Sequence, residues 1–327
     1  MPQQTTAITL AVIMDPIQQI KIHKDSTFAM LLEAQRRGWP ITYLQPQDLS
    51  QRQGRTYATG HQLQVMDDPT GWYQLGEPQD QPLDHYSMVL MRQDPPFDME
   101  YLYSTHLLQQ PAEAGTLVVN HPRALREANE KLITGRFPEL TPASLVSRSI
   151  PALQHFIAQH RDVILKPLDG MGGASVYRVR EDDPNRNVIL ETLTDHGGKT
   201  AMAQTYIPEI HAGDKRILVI DGEPIPYALA RIPAAGETRA NLATGGRGEG
   251  VPLTDRDRQI VTTVAPYLRA NGILFAGLDV IGDYLTEINI TSPTCIRELD
   301  ALYQLNIAGQ LFDCLTQKYH VIKTQGS

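Results

Sequence analysis

Two carboxylates and a carboxamide near the C-terminus have the spacing of a cation site on a β-hairpin. The stretch 275–290 reads FAGLDVIGDYLTEINI and contains Asp279, Glu287 and Asn289. Apolar residues alternate with polar ones on both sides of a Gly-Asp pair, which predicts two antiparallel strands. Oxygen atoms of such side chains are ligands that Mg²⁺ accepts when phosphate groups complete its coordination shell.

The length of the hairpin loop decides whether these three side chains converge. A two-residue loop puts Leu278 opposite Glu287 and mixes apolar with polar groups on each face. A three-residue loop puts Asp279 opposite Glu287 and gathers both acids with Asn289 on one face. Because a one-residue slip exchanges the faces, the cleaner segregation favours the three-residue loop. A solvated sheet face that merely carries acidic residues is the alternative to a metal site.

A glycine-rich segment earlier in the chain has the composition of a phosphate-binding loop. The segment 165–176 reads LKPLDGMGGASV, with three glycines within four residues. It lacks the Gly-Lys of a Walker A loop, and the alternation at 175–180 predicts a strand where a dinucleotide fingerprint requires a helix. Residues without a Cβ let backbone N–H groups approach phosphate oxygens, so a strand–loop–strand flap can still bind phosphates. An ordinary hairpin turn is the alternative.

The first third of the chain alternates strand-like apolar runs with helical spacing. Strands are predicted at 7–14, 41–44, 86–91 and 116–119, and helices at 26–37 and 98–110. This alternation is typical of a mostly parallel α/β domain. The polar region 51–82 interrupts it with a predicted hairpin around Gly60.

A second unit begins near Pro122, where a helix carrying Lys131 is predicted to run to Gly135. Further along, two strands around Asp221-Gly222 predict another hairpin. The stretch 233–250 contains five glycines and almost nothing that could be buried, which predicts a mobile loop. We therefore predict domains at 1–125, 126–207 and 208–327.

Composition narrows the possible partners and compartment. The 327 residues include 29 Lys and Arg against 37 Asp and Glu, a net charge of -8 that argues against nucleic acid as a partner. No apolar run is long enough to cross a bilayer, so no membrane association is expected. Two cysteines, Cys295 and Cys314, are too few for a disulfide framework, and a cytoplasmic location is expected. No His or Asn partner is spaced for nucleophilic chemistry at Cys295.

Several long motifs resemble the bacterial glutathione synthetase family of ATP-grasp ligases. They are MDPI at 14–17, FAMLLEAQRRG at 28–38, MRQDPPFD at 91–98, ILKPLDGMGGASV at 164–176, AGETR at 235–239 and LTEINITSPTCIRE at 285–298. The similarity extends over nearly the whole chain, apart from the extreme N-terminus, the 51–82 region and the C-terminal tail. It implies an ATP-grasp fold behind an N-terminal, mostly parallel α/β domain.

The resemblance implies an ATP-dependent ligation of γ-glutamylcysteine with glycine to form glutathione, ADP and phosphate. A carboxylate does not accept an amine at neutral pH unless its oxygen becomes a leaving group, which explains an acyl-phosphate intermediate. Positioning and charge neutralisation then supply most of the catalysis. ATP and Mg²⁺ or Mn²⁺ are the implied cofactors, and a homo-oligomer, a tetramer, is the implied assembly.

The resemblance also implies roles for single residues. Asp279, Glu287 and Asn289 would hold the metal, and the catalytic Arg216 and Arg231 would stabilise the transferring phosphoryl group. The loop 233–250 would act as a lid, with Arg239 and Arg247 as its contacts to bound anions, Arg239 counted among the catalytic residues. ATP would contact Lys131, Lys166, Gly170, Met171, Gly172, Gly173, Gln204, Tyr206, Ile207 and Asp214. Ser292 and Thr294 would bind the dipeptide.

Asp15 and Ser26 follow the first predicted strand, where open α/β sheets usually bind ligands, and are expected to meet substrate. A helix cap is the simpler account of Ser26. Two rival functions stay open: another ATP-grasp ligase, such as one joining D-alanines or adding amino acids to a peptide end, and an ATP-binding regulatory module without turnover.

Overall fold

Three sheets with packed helices make up the described part of the chain. The structure, a computed structural model, describes residues 8–234, 240 and 245–325. Within these ranges no helix has the length and apolar character needed to cross a lipid bilayer.

The N-terminal sheet is built on four parallel strands in the order β2-β1-β6-β7. Its strands are β1 (Leu10–Ile13), β2 (Ile41–Leu44), β3 (Leu49–Arg52), β4 (Arg55–Val65), β5 (Tyr73–Pro82), β6 (Met88–Met91) and β7 (Leu117–Val119). Strands β1 and β6 are apolar throughout and fully buried, as expected for strands covered on both faces. Strands β3, β4 and β5 extend the β2 side by antiparallel pairing. The predicted mostly parallel α/β domain is confirmed.

Helices α1 (Ser26–Arg36), α2 (Met99–Leu107) and α3 (Gln109–Glu113) belong to this domain. The predicted cap of α1 is wrong by one residue: the Asp25 side chain accepts the hydrogen bond from the Phe28 backbone N–H, and Ser26 is already helical. A carboxylate at this position satisfies a free N–H group of the first turn.

The predicted hairpin around Gly60 is also wrong. Strand β4 continues through Gly60, and the actual turns lie at Gln53-Gly54 and between Val65 and Tyr73. A Cβ at Gly60 would lie 2.5 Å from Cδ2 of Leu44. Glycine therefore serves close packing inside the sheet here and does not mark a turn.

The helix predicted from Pro122 to Gly135 is interrupted. Helix α4 (Pro122–Glu127) ends early, and a 3-10 turn follows at Leu132–Arg136. The side-chain oxygen of Asn129 accepts hydrogen bonds from the backbone N–H groups of Lys131 and Leu132. Asparagine competes with helical hydrogen bonding in this way, so Lys131 lies between two helical turns instead of on a helix.

The second sheet is antiparallel, with the order β10-β9-β11-β8. It consists of β8 (Ser144–Ser147), β9 (Asp162–Pro167), β10 (Tyr177–Arg180) and β11 (Ala201–Thr205), with helices α5 (Ile150–His160) and α6 (Arg186–Thr194). The glycine-rich loop joins β9 to β10, which confirms the strand–loop–strand arrangement. Strand β10 begins two residues later than predicted because Ser175 has a left-handed backbone with φ of 56°.

The third sheet is antiparallel in the order β14-β13-β12-β15-β16. It consists of β12 (Asp214–Ile220), β13 (Glu223–Ile232), β14 (Arg247–Pro252), β15 (Phe275–Ile281) and β16 (Tyr284–Asn289), with helices α7 (Asp255–Ala270), α8 (Ile296–Tyr303) and α9 (Ile307–Gln325). The hairpin around Asp221-Gly222 is confirmed.

The loop predicted at 233–250 is shorter than expected, because its last residues pair with β13 as strand β14. Gly250 packs on α8, where an added Cβ would lie 2.5 Å from Cε2 of Tyr303. Residues 235–239 and 241–244 lie outside the described residues, so the predicted mobility of the lid is untested.

Candidate active site

The loop of the hairpin β15–β16 contains two residues, Gly282 and Asp283, because Ile281 pairs with Tyr284, so the favoured three-residue loop is wrong. Val280 lies opposite Leu285, as a two-residue loop requires, whereas Asp279 lies opposite Glu287, as a three-residue loop requires. A β-bulge at Thr286 accounts for the difference, and the Thr286 hydroxyl donates to the Asp279 carbonyl over 3.1 Å. Bulges of this kind redirect side chains near active sites. The predicted pairing of the two acids therefore exists, by a different route.

Asn289 completes the polar face of this hairpin. It lies opposite Gly277, and its Nδ2 donates to the Gly277 carbonyl over 3.1 Å, so the amide oxygen stays available as a ligand. Two acids and one amide fit a hard divalent cation that takes other ligands from phosphate. Among the described residues no group of three or more His, Cys, Asp or Glu is arranged for metal binding.

Two arginines on neighbouring strands hold Asp279. Arg216 on β12 approaches it with Nε to Oδ1 at 2.5 Å and Nη2 to Oδ2 at 3.0 Å, and Arg231 on β13 lies 2.9 Å from Oδ2. Asp279 is only 4% exposed, and both of its carboxylate oxygens contact guanidinium groups. Burial alone would raise its pKa, yet the two arginines outweigh burial and hold the pKa of Asp279 far below its usual range. The carboxylate is therefore ionised.

Asp214 shares Arg231 with Asp279. The Arg231 Nη2 lies 2.5 Å from Asp214 Oδ2, while Oδ1 of Asp214 has no hydrogen-bond partner among the described residues. Burial raises the pKa of Asp214 to about 7 although Arg231 opposes the shift. An unpartnered buried oxygen is unfavourable in the absence of ligand. This oxygen can accept a hydrogen bond from a bound ligand.

Two lysines meet at Glu287. Nζ of Lys131 lies 3.2 Å from Glu287 Oε1 and also donates to the Gly170 carbonyl over 2.8 Å. Nζ of Lys166 lies 3.9 Å from the same carboxylate oxygen. Burial lowers the pKa of Lys166, and the charge of Lys131 adds to that effect. These contacts connect the hairpin to the glycine loop, and they concentrate positive charge beside that loop.

The predicted residues meet in a cavity of about 650 Å³ between the three sheets. Its lining includes Asp15, Lys131, Lys166, Gly170, Met171, Gly172, Gly173, Gln204, Tyr206, Ile207, Asp214, Arg216, Arg231, Asp279, Glu287, Asn289, Ser292 and Thr294. Ala240, a buried residue of the glycine-rich stretch, also contacts this cavity.

Two predicted site residues are not placed there. Ser26 is buried and its hydroxyl accepts a hydrogen bond from the Ile296 N–H over 3.1 Å, so it joins α1 to α8 and does not face substrate. Arg239 lies outside the described residues. Arg247 is mostly exposed and pairs with Glu249 on β14.

One end of the cavity offers unsatisfied polar groups of the kind that a purine base can satisfy. Nε2 of the buried Gln204 and the hydroxyl of Tyr206 have no hydrogen-bond partner among the described residues. The guanidinium carbon of Arg178 lies 3.5 Å from the centre of the Tyr206 ring, and Arg178 forms a bidentate pair with Asp162. The guanidinium group of Arg178 thus stacks on the Tyr206 ring and restricts its movement.

The opposite wall contains residues that sequence reasoning missed. Asp25, Asp94 and Glu298 line the cavity, and burial raises the pKa of each of them. The buried Arg92 lies behind this wall and donates to the Pro293 carbonyl. The sequence signal for Asp94 was the segment QDPP at 93–96, which follows the end of β6 after one intervening residue. Ligands bind at the carboxyl ends of strands in open α/β sheets, so polar residues at this position are candidates for a site.

Comparisons with known proteins agree with this geometry. The family model of the prokaryotic glutathione synthetase N-terminal domain matches residues 8–126, and that of the prokaryotic glutathione synthetase ATP-grasp domain matches residues 130–304. The chain is 56% identical to the glutathione synthetase of Vibrio vulnificus, over 95% of this chain and 98% of that protein. Identity to the glutathione synthetase of Pseudomonas putida is 57%, with the same coverage of both chains.

Solved structures show the same fold at low sequence identity. D-cycloserine synthetase DcsG superimposes with a TM-score of 0.66 at 14% identity, over 95% of this chain and 99% of that one. A RiPP-associated ATP-grasp ligase of Chryseobacterium gregarium gives a TM-score of 0.62 at 17% identity, over 95% and 97% of the two chains. With the family models and the full-length relatives, these findings confirm the resemblance of the motifs: the chain belongs to the prokaryotic glutathione synthetase family of ATP-grasp ligases.

Proposed function

We propose that the residues gathered in this cavity join γ-glutamylcysteine to glycine, with ATP converted to ADP and phosphate. The observation that carries the proposal is the polar face of β15–β16, where Asp279, Glu287 and Asn289 are surrounded by four basic side chains. Such a face suits a metal-bound triphosphate. Nucleotide binding alone would not require two arginines around one of the acids.

Asp279, Glu287 and Asn289 would hold the divalent metal, and Mg²⁺ is the proposed ion because every ligand is an oxygen; Mn²⁺ accepts the same set. When bound, the dication would supply neutralisation of the negative charge on the phosphates. Lys131 and Lys166 contribute the charge next to the phosphates. The loop Gly170–Gly173 contributes backbone N–H groups, and Met171 lies among them.

The base and ribose would occupy the other end of the cavity. Gln204, Tyr206 and the backbone at Ile207 would contact adenine, since Gln204 and Tyr206 carry unpartnered polar atoms there. Asp214 would accept a hydrogen bond from the ribose through its free oxygen.

Arg216 and Arg231 would stabilise the phosphoryl group while it passes to the dipeptide carboxylate and while it leaves as phosphate. Their Nη atoms already lie at the metal-binding acid, so little rearrangement is needed when substrate charge arrives. Ser292 and Thr294 would hold the dipeptide, and Asp15 lines the wall beside them. Arg239 and the lid would exclude water, because an acyl phosphate hydrolyses if water reaches it.

Phosphate release tests the function directly. The purified protein is supplied with ATP and Mg²⁺, and then with γ-glutamylcysteine plus glycine, with D-alanine, or with no acceptor. We expect release only when dipeptide and glycine are both present. Release that depends on D-alanine would indicate a different ligase, and nucleotide binding without release would indicate a regulatory module.

We propose in addition that the protein is cytoplasmic and that it assembles as a homo-oligomer, a tetramer. The two unpaired cysteines support a reducing compartment. Light scattering coupled to size exclusion measures the assembly, and a mass of one chain would contradict it.

A further inference from the structure

Glu130 makes an unusual set of contacts to the strand that carries two of the proposed metal ligands. Its side-chain Oε1 accepts hydrogen bonds from the Ile290 N–H at 2.7 Å, from the Thr291 N–H at 2.9 Å and from the Thr291 hydroxyl at 2.8 Å. Its main-chain carbonyl accepts a fourth from the Ile288 N–H at 3.0 Å. One residue thus holds the backbone on both sides of Asn289.

These contacts answer a structural need of β16. This strand lies at the edge of its sheet, with β15 on one side only. The N–H groups of Ile288 and Ile290 therefore have no strand to bond with on the outer side, and Glu130 supplies the acceptors instead. An edge strand without such support would be free to shift, and its side chains would shift with it.

The position of Glu130 in the chain adds a second link. The next residue, Lys131, contacts Glu287 on the same strand and the Gly170 carbonyl of the glycine loop. A shift of residues 130–131 would therefore move Glu287, Asn289 and the glycine loop relative to Asp279, which stands on β15.

We propose that Glu130 is a positioning residue for the divalent metal: by holding residues 288–291 it fixes Glu287 and Asn289 at the distance from Asp279 that one cation can bridge. The proposal rests on the proposed function of these three residues as metal ligands. Partners that orient metal ligands from behind typically change metal affinity by about 10–100-fold when they are removed.

Two substitutions separate the effect of the side-chain length of Glu130 from the effect of its charge. Oε2 of Glu130 makes no hydrogen bond with the described residues, so Glu130→Gln keeps the accepting oxygen and loses only the charge. Glu130→Asp keeps the charge, but its side chain is one methylene too short to reach residues 290 and 291. Glu33→Gln is the matched control, because Glu33 is also a buried, hydrogen-bonded carboxylate and does not line the cavity.

The experiment measures Mn²⁺ affinity by electron paramagnetic resonance in the presence of saturating ADP, after the melting temperature has confirmed that each variant is folded. We expect Glu130→Asp to weaken binding by about tenfold or more, and Glu130→Gln and Glu33→Gln to stay within about threefold of wild type. Wild-type affinity in Glu130→Asp overturns the proposal, and so does an equal loss in Glu130→Gln, which would show that charge matters and position does not.

Thr291→Val is a milder second variant for the case that Glu130→Asp does not fold, since it removes one of the three donors to Oε1. A loss of about fivefold is expected for one such hydrogen bond, and an affinity within about threefold of wild type would contradict the proposal. If the wild-type protein itself binds no Mn²⁺ with ADP, the proposed metal site fails. If wild type binds and Glu130→Asp binds equally, only the role of Glu130 fails.

Discussion

Arg231 bridges two buried carboxylates: its Nη2 lies 2.5 Å from Asp214 and 2.9 Å from Asp279. A lysine would keep the charge but would lose the second donor of Arg231, whose Nε donates to the Asp214 main-chain carbonyl over 3.3 Å. We expect Arg231→Lys to lower the rate of phosphate release by about 10²-fold, as is typical when one transition-state donor is lost. Arg269→Lys, which alters an exposed ion pair with Glu223, is the control and should leave the rate unchanged. A rate within about threefold of wild type in Arg231→Lys would argue against the assigned role.

Glu287 connects the proposed metal site to both lysines. In Glu287→Gln a neutral amide replaces the charged ligand, and we expect the Mg²⁺ concentration for half-maximal activity to rise by about tenfold or more. Chelation with EDTA should abolish wild-type activity, and added Mg²⁺ should restore it. Activity that survives chelation would show that no metal is needed.

Close packing of β14 on α8 makes Gly250 sensitive to substitution. A Cβ there would lie 2.5 Å from Cε2 of Tyr303, whose ring stacks on Tyr227 with centroids 3.7 Å apart. We expect Gly250→Ala to destabilise the fold by about 1–3 kcal/mol, the usual penalty for overpacking. Gly71→Ala is the matched control because nothing lies within 4 Å of an added Cβ there. Equal free energies of unfolding for the two variants would contradict the predicted contact.

A charge cluster between α1 and α9 should make stability depend on pH. Hydrogen bonds from Arg36, Arg37 and Asn306 lower the pKa of Glu33 to about 2, against burial, from a usual value of 4.5. A pKa that is lowered on folding stabilises the protein above pH 4.5, and this stabilisation is lost as the pH falls toward 2. Since the Arg36 side chain is 66% exposed, we expect a contribution of about 1–2 kcal/mol.

Urea unfolding of wild type and Glu33→Gln measures this contribution. The difference in free energy of unfolding should be constant between about pH 5 and 7 and shrink by about pH 3.5. A difference that grows with acidity would mean that the sign is wrong.

Much of the site follows from local sequence pattern. The convergence of Asp279, Glu287 and Asn289 was predictable because strand periodicity fixes which side chains share a face. The glycine loop was predictable because a strand pattern resumes immediately after it. Both features depend on neighbours close in the chain.

Other features depend on contacts that local pattern does not encode. The bulge at Thr286 shifts the pairing register of the hairpin by one residue. The sequence of the hairpin does not distinguish such a bulge from a longer loop. The sequence around Gly60 predicts a turn, yet in the structure the missing Cβ leaves space for the side chain of Leu44. The break after α4 comes from a single side chain, Asn129, bonding to the backbone in preference to solvent. The acidic wall of Asp25, Asp94 and Glu298 is assembled from three distant segments.

The ion pairs around Glu287 and Asp279 also bear on the order in which ligands arrive. Four bases, Lys131, Lys166, Arg216 and Arg231, already compensate the carboxylates, so a lone dication would meet competitors of its own sign. We expect Mn²⁺ to bind far more weakly without ADP than with it, and equal affinities in the two titrations would refute this. A nucleotide would draw the bases onto its own phosphates and free the acids, so we expect metal and nucleotide to enter as one complex.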